Sequence, residues 1–276
     1  MDRRGADGKE IRLSMPKKVY IVGAGPGPAD LLTARAAALL GRADVVLHDD
    51  LVTPEILALA GPLAEVINVG KRCGRHGVTQ ERINALLVWH AENGKVVVRL
   101  KSGDPAVFGR LGEELDALRR ASVDFEVVPG ITAASAAAAA AGITLTDRRR
   151  ASALVVLTGH TCGPQRLSLE GVDPQRSTFA VYMPGPDYGR TARDLTQAGV
   201  DCNTPCALVS NAGRASQQVC FMSVADLPFA IGIQAPALLI VGAVAGARTD
   251  DFAQLITSLE TNHDPAGYRT TIPAHQ

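Results

Sequence analysis

Residues 18–33 read KVYIVGAGPGPADLLT. An apolar, β-branched run ends in a glycine turn, and the turn opens a helix-like segment. A strand, a tight turn and a helix in that order begin an α/β unit. The turn resembles the dinucleotide fingerprint G-x-G-x-x-G, but only in part. Gly23 and Gly25 fit, Pro28 stands where the third glycine is required, and Gly27 comes one residue early. Pro26 and Pro28 carry no N–H, so two potential phosphate donors are missing. Asp30 falls in the helical first turn, where it complements the helix dipole and repels a phosphate. The turn therefore suits a ligand without phosphate. Asp49 and Asp50 end the second strand, where a ribose-binding acid sits in dinucleotide folds. Alternatively, Asp49 caps a loop.

The same alternation continues outward. Strands are expected at 18–22, 44–47, 65–69, 95–100 and 124–128. Helices are expected at 28–41, 53–60, 79–93 and 109–121, with Pro28 at the first helical position. The strands are continuous apolar runs, the pattern of a parallel sheet covered on both faces. An alanine-rich segment, 131–141, reads as a tightly packed helix stopped by Gly142. Residues 146–150, TDRRR, form a junction. A second strand set follows at 153–158, 178–183, 205–209, 218–222 and 236–241, with fewer helices and a hairpin-like region at 206–222. The expected organisation is a flexible tail (1–14), a parallel-sheet α/β domain (15–146), a mixed-sheet α/β domain (147–250), and a terminal helix with a frayed tail (251–276).

The bulk numbers exclude several function classes. Among 276 residues, 28 are basic and 28 acidic, which gives no global attraction to nucleic acid or to an anionic membrane. Cys73, Cys162, Cys202, Cys206 and Cys220 include one close pair, C-x-x-x-C, and no zinc spacing, so no metal is expected. An odd cysteine count without a secretory leader fits reduced thiols in the cytoplasm. The longest apolar run, APALLIVGAVAGA, is too short to span a bilayer and reads as a buried strand with its exit loop.

Parallel sheets bind ligands at the carboxyl ends of their strands. The expected strand ends carry GKRCGRH (70–76), KSGDPAVFGR (101–110) and PGITA (129–133). Turn-forming loops with charges along one sheet edge mark a site. Each has a plainer reading. Lys71, Arg72 and Arg75 fit a solvated basic loop, Arg148 to Arg150 a surface run, and Asp104-Pro105 a simple turn. Met183 fits the core, and His160 fits a satisfied loop. Their joint placement after strands favours a site.

Taken together, these pieces resemble the tetrapyrrole methylases, which use S-adenosylmethionine. The matching segments are V-G-A-G-P-G with D-L-L-T, A-D-V-V-L-H-D, V-G-K-R-C-G-R-H, R-L-K-S-G-D-P-A-V-F-G-R, V-P-G-I-T-A-A-S, G-I-T-L-T-D-R, L-T-G-H, Y-M-P and P-A-L-L-I-V-G. They run in family order from about Val19 to Gly242. The resemblance implies two α/β domains with the active site in the cleft between them, and a homodimer. It implies S-adenosylmethionine contacts at Pro26, Ser102, Gly103, Asp104, Val107, Thr132, Ala133, Met183 and Ala212. It implies tetrapyrrole contacts at Arg110, Glu113, Arg148, His160 and Met183, with Arg110 and Glu113 also catalytic. Asp49 and Lys71 match positions proposed in the family as proton acceptor and donor. V-G-K-R and L-T-G-H favour members that methylate uroporphyrinogen III at C2 and C7 to give precorrin-2. Alternatives are methylation of a later corrinoid intermediate such as precorrin-4, or a weakened cofactor-binding protein.

Five positions depart from the family pattern. Ser102 replaces a usual glycine, Asp50 an arginine, Ala106 a phenylalanine, Leu111 a glycine and Asp147 a histidine. A serine beside the cofactor requires a backbone outside positive φ, or strain. No dehydrogenase module precedes the first domain, so a stand-alone methylase is expected.

Overall fold

A computed structural model describes residues 18–70, 78–159 and 169–246. The chain divides into two compact units. The first runs through Ala140 and includes Val209–Gln218 and Ile233–Leu238; the second comprises Ala141–Leu208, Val219–Gly232 and the residues from Leu239 onward.

The first unit holds five strands: β1 (Val19–Gly23), β2 (Val45–His48), β3 (Glu65–Asn68), β4 (Val97–Lys101) and β5 (Phe125–Val128). They form one sheet in the order β3-β2-β4-β1-β5. Every pairing is parallel, with Val22 opposite Leu100 and Val128, and Leu47 opposite Arg99. Its helices are α1 (Ala34–Leu40), α2 (Pro54–Leu57), α3 (Gln80–Glu92), α4 (Leu111–Arg120) and α5 (Ala133–Ala141). Alternate residues of β1 serve opposite faces. Tyr20 and Val22 pack with Leu39 and Leu40 of α1. Val19 and Ile21 pack with Ile83 and Leu87 of α3 and Leu118 of α4. With both faces covered, β1, β2 and β4 are buried at every position, which explains why β1 is apolar throughout and why β2 and β4 are apolar except at His48, Arg99 and Lys101. Leu47, Leu87, Leu100 and Leu118 are fully buried; truncating any one to alanine costs about 2–5 kcal/mol.

The strand order creates a switch point. From β1 the chain leaves toward β2 on one side; from its neighbour β4 it leaves toward β5 on the other. In open parallel sheets, ligands bind at the carboxyl ends of the strands at such a switch point.

The second sheet is mixed, in the order β6-β7-β10-β8-β9, from β6 (Ala153–Thr158), β7 (Ser177–Tyr182), β8 (Pro205–Ser210), β9 (Gln218–Ser223) and β10 (Ala237–Val241). Strands β6 and β7 pair in parallel. The two-sheet α/β architecture read from the sequence is thereby borne out.

Four local expectations are corrected. The helix expected at 28–41 is two pieces. A 3-10 turn spans Ala29–Leu31, Leu32 is extended, and α1 restarts after Thr33, whose side chain accepts from Ala36 N. An N-cap threonine satisfies an orphan donor and so fixes a new start. The helix expected at 53–60 shrinks to α2. A helix not anticipated, α6 (Tyr188–Gln197), follows β7; Asp187 caps it by accepting from Arg190 N, and it buries Tyr188, Ala192 and Leu195. The exit of the last strand is also helical, at 243–246, rather than a loop.

Candidate active site

Glycine contacts join the loops after β1, β4 and β5. Ala24 N donates to Lys101 O at 2.7 Å, Gly25 N to Gly103 O at 3.1 Å, and Gly103 N to Gly25 O at 2.8 Å. Gly25 and Gly103 have φ of 68° and 67°, where a Cβ is strained. A Cβ on Gly23 would lie 2.5 Å from Gly130 N, and one on Gly130 would lie 2.3 Å from Gly103 O. Three backbones therefore touch where no side chain fits.

Asp104 ties two of these loops together. Its Oδ1 accepts from Ala106 N at 2.8 Å and its Oδ2 from Gly130 N at 3.1 Å. Each oxygen keeps a further lone pair for a ligand. Val107 N closes the same turn on Asp104 O at 3.2 Å. Ser102 lies outside the left-handed region, unlike Gly103, so the departure from glycine brings no backbone strain. Its Oγ is buried without a partner among the described residues. Thr132 and Ala133 open α5, where Ala136 N donates to Thr132 O at 3.2 Å.

The β1 turn is pinned from a distant segment. Arg214 donates from Nε to Pro26 O at 3.1 Å and from Nη2 to Leu51 O at 2.9 Å. Gly27 is packed against this guanidinium: a Cβ there would lie 2.5 Å from Nε. Thr53 Oγ1 donates to Gly27 O at 2.7 Å. Ala212 follows Asn211, whose φ is 49° and whose N donates to Pro236 O at 2.9 Å.

A charged cluster lies at the ends of β2 and β4. Arg99 Nε donates to Glu114 Oε1 at 2.9 Å, and its Nη2 to Asp49 Oδ1. Lys101 Nζ donates to the same Glu114 oxygen at 3.0 Å. Side chains of Arg99 and Lys101 are 3% exposed and that of Glu114 is 0%. Burial works against the Arg99 charge, but the Asp49 and Glu114 carboxylates outweigh it and raise its pKa. Burial and Arg99 lower that of Lys101, with Glu114 opposing. Arg99, Lys101, Glu114 and Arg214 were not singled out from sequence. The first two did leave a signal: charges two apart in an otherwise apolar strand.

Arg110 begins α4 with φ 53°. Its Nε and Nη2 each donate to Glu113 at 2.7 Å, a two-pronged pair on the surface. Phe108, with φ 50°, precedes it. Strained non-glycine residues of this kind concentrate at functional loops.

In the second unit, Met183 has φ 48° and is half exposed. Gly159 N donates to Tyr182 O at 2.8 Å, and a Cβ on Gly159 would lie 2.7 Å from Met183 O. Arg148 is exposed. Asp147, a departure from the family histidine, builds its turn. It accepts from Arg149 N at 2.8 Å and pairs with the Arg149 guanidinium at 2.9 Å. Those bonds lower its pKa to about 2. Lys71 and His160 lie outside the described residues, as do Arg72 and Arg75.

Residues 18–228 match the model of the tetrapyrrole (corrin/porphyrin) methylases. The chain belongs to that family. The resemblance read from the ordered motifs is thereby borne out. The methylase is 46% identical over 230 residues to siroheme synthase 1 of Yersinia pseudotuberculosis, covering 82% of this chain and 48% of that one. It thus spans about half the length of the first curated relatives it matches. It is 42% identical to uroporphyrinogen-III C-methyltransferase of Paracoccus denitrificans over 254 residues, covering 90% and 88% of the two chains. It also resembles the crystal structure of uroporphyrin-III C-methyltransferase from Thermus thermophilus complexed with S-adenosylhomocysteine, with a TM-score of 0.72 and 38% identity, covering 82% and 98%. No helix among the methylase's described residues is long and apolar enough to cross a membrane.

Proposed function

We propose that this methylase transfers methyl groups from S-adenosylmethionine to uroporphyrinogen III, first at C2 and then at C7, giving precorrin-2 by way of precorrin-1. The observation that carries the reading is the 42% identity to a uroporphyrinogen-III C-methyltransferase, along 88% of that protein. The site chemistry agrees with it. Pro26 and Pro28 offer no N–H for a phosphate, and this donor has none. The glycine contacts at Gly23, Gly103 and Gly130 leave backbone open to close approach. Pro26, Ser102, Gly103, Asp104, Val107, Thr132, Ala133, Met183 and Ala212 are the residues proposed to hold the donor. When bound, the donor supplies an electrophilic methyl group on a sulfonium.

The remaining roles belong to side chains. Arg110 and Arg148 pair with the substrate carboxylates through charge-assisted hydrogen bonds, and Glu113 orients Arg110. His160 and Met183 complete the tetrapyrrole contacts. Asp49 accepts the proton that the meso methylene bridge beside the methylated ring loses after transfer, and Lys71 donates one. Methyl transfer is an in-line displacement, so rigid placement of both partners is the main requirement. A homodimer in the cytoplasm, without nucleic acid or membrane, is part of the same proposal.

The test is an anaerobic assay with uroporphyrinogen III made in situ. Dimethylated product is expected. Failure to methylate it, with activity on precorrin-4, would reassign the substrate. S-adenosylhomocysteine binding without turnover of any tetrapyrrole would leave a binding protein and refute the enzyme reading.

A further inference from the structure

Strand β4 reads V-V-R-L-K and is buried throughout. Val97, Arg99 and Lys101 share one face, toward the side occupied by α3 and α4. An apolar residue at position 99 would satisfy a sheet core at lower cost, because a buried ion pair seldom repays its desolvation. The arginine therefore needs a reason beyond packing.

Its contacts supply one. Nη1 donates to the carbonyls of Leu47 and Leu100 at 3.3 Å each. Nε is held by Glu114 and Nη2 by Asp49. A planar guanidinium held on three edges cannot swing. Glu114 is fixed in turn: Lys101 and Gln80 donate to the same Oε1, at 3.0 and 3.5 Å. Asp49 differs from the rest of the cluster. Its side chain is 29% exposed, and Arg99 takes only Oδ1. Among the described residues, no side chain takes Oδ2.

We propose that Arg99, braced by Glu114, is a positioning residue for Asp49: it ties Oδ1 and leaves Oδ2 presented as the acceptor for the proton released from the methylene bridge beside the methylated ring. This rests on the methyl-transfer reading above. Methyl transfer leaves the attacked carbon quaternary and its ring an iminium. A C–H bond of the adjacent meso methylene bridge then breaks, its electron pair forms the C=C bond that neutralises the iminium, and the proton goes to Asp49 Oδ2. Arg99 neither gains nor loses a proton. Lysine cannot replace it, because one ammonium cannot span Leu47, Leu100, Glu114 and Asp49 together.

The test is a double-mutant cycle on the full chain with Arg99→Lys, Asp49→Asn and the pair. Arg99→Lys should lower kcat for uroporphyrinogen III about tenfold or more. The KM for S-adenosylmethionine and the calorimetric Kd for S-adenosylhomocysteine should stay within about twofold. In the Asp49→Asn background, Arg99→Lys should cost less than about twofold more. Full multiplication of the two losses would overturn the proposal, as would a tenfold loss of S-adenosylhomocysteine affinity in Arg99→Lys. Wild-type kcat in Asp49→Asn would also overturn it while leaving the methyltransferase reading intact. If Arg99→Lys does not fold, Glu114→Gln replaces it in the cycle, with the same outcomes expected. Absence of turnover by the wild type defeats the functional reading and this inference with it; turnover with an additive cycle defeats the inference alone.

Discussion

Gly130→Ala adds one methyl group at the contact of three loops. Gly130 does not have positive φ, so the change carries no conformational penalty and isolates the steric one. The new Cβ would lie 2.3 Å from Gly103 O and 2.9 Å from Gly23 C and Cα. All three are backbone atoms, so no side chain can rotate away. Ordinary contact begins at 3.4 Å, so the loops must part by about 1 Å. Overpacking of this kind costs about 1–3 kcal/mol. For a chain of this size, that lowers Tm by roughly 2–12 °C. A displacement of about 1 Å in a positioning loop also costs up to roughly a hundredfold in rate. The assay combines thermal unfolding, calorimetry with S-adenosylhomocysteine, and methyl transfer. Gly112→Ala in α4 is the matched control, since its Cβ meets nothing within 4 Å; it should hold or raise Tm by removing a helical glycine. Wild-type Tm and affinity in Gly130→Ala would refute the claim that these backbones are in contact.

Arg110→Ala should raise the KM for the tetrapyrrole about tenfold or more, the scale of one charge-assisted bond, and leave the Kd for S-adenosylhomocysteine unchanged; equal loss of both would contradict its role. Arg214→Ala should weaken S-adenosylhomocysteine about three- to tenfold by freeing the Pro26 and Leu51 carbonyls, and Arg214→Lys should not restore it; an unaltered Kd in both variants would refute the tether. The Asp147 carboxyl has a folded pKa of about 2 against an ordinary value of 3.8. Its stabilising contribution is therefore complete above pH 3.8 and lost as pH falls toward 2. The Arg149 amide resonance should titrate in that window in the wild type and stay flat in Asp147→Asn.

The strands were legible because burial on both faces leaves a simple sequence mark. All ten fall within two residues of the expected ends. Helix breaks were harder to read. Nothing in the apolar count of 28–41 separates a 3-10 turn from α1; only Thr33 as an N-cap does. Helix α6 was missed because YGRTARDLTQ is mostly polar, though Tyr188, Ala192 and Leu195 hold helical spacing after the capping Asp187. Ser102 was flagged as a possible strain, and its backbone conformation answers that. Glycines at the strand ends were visible as a motif, but their mutual contact was not, because it joins loops that follow three different strands. Glu114 carries no mark of its burial in the helix sequence, because its partners Arg99 and Lys101 lie on β4. Arg214 left no mark at all, since its partners are carbonyl oxygens, which every residue has.

The Arg214 tether has a consequence for synthesis. Pro26 and Arg214 are 188 positions apart, so at about 5–20 residues per second the ribosome makes the second on the order of ten to forty seconds after the first. All five strands of the first sheet are translated well before that. The nascent sheet can therefore assemble with its glycine turn still unfastened, and any affinity for the methyl donor that depends on the fastened turn arises only once the late segment has emerged.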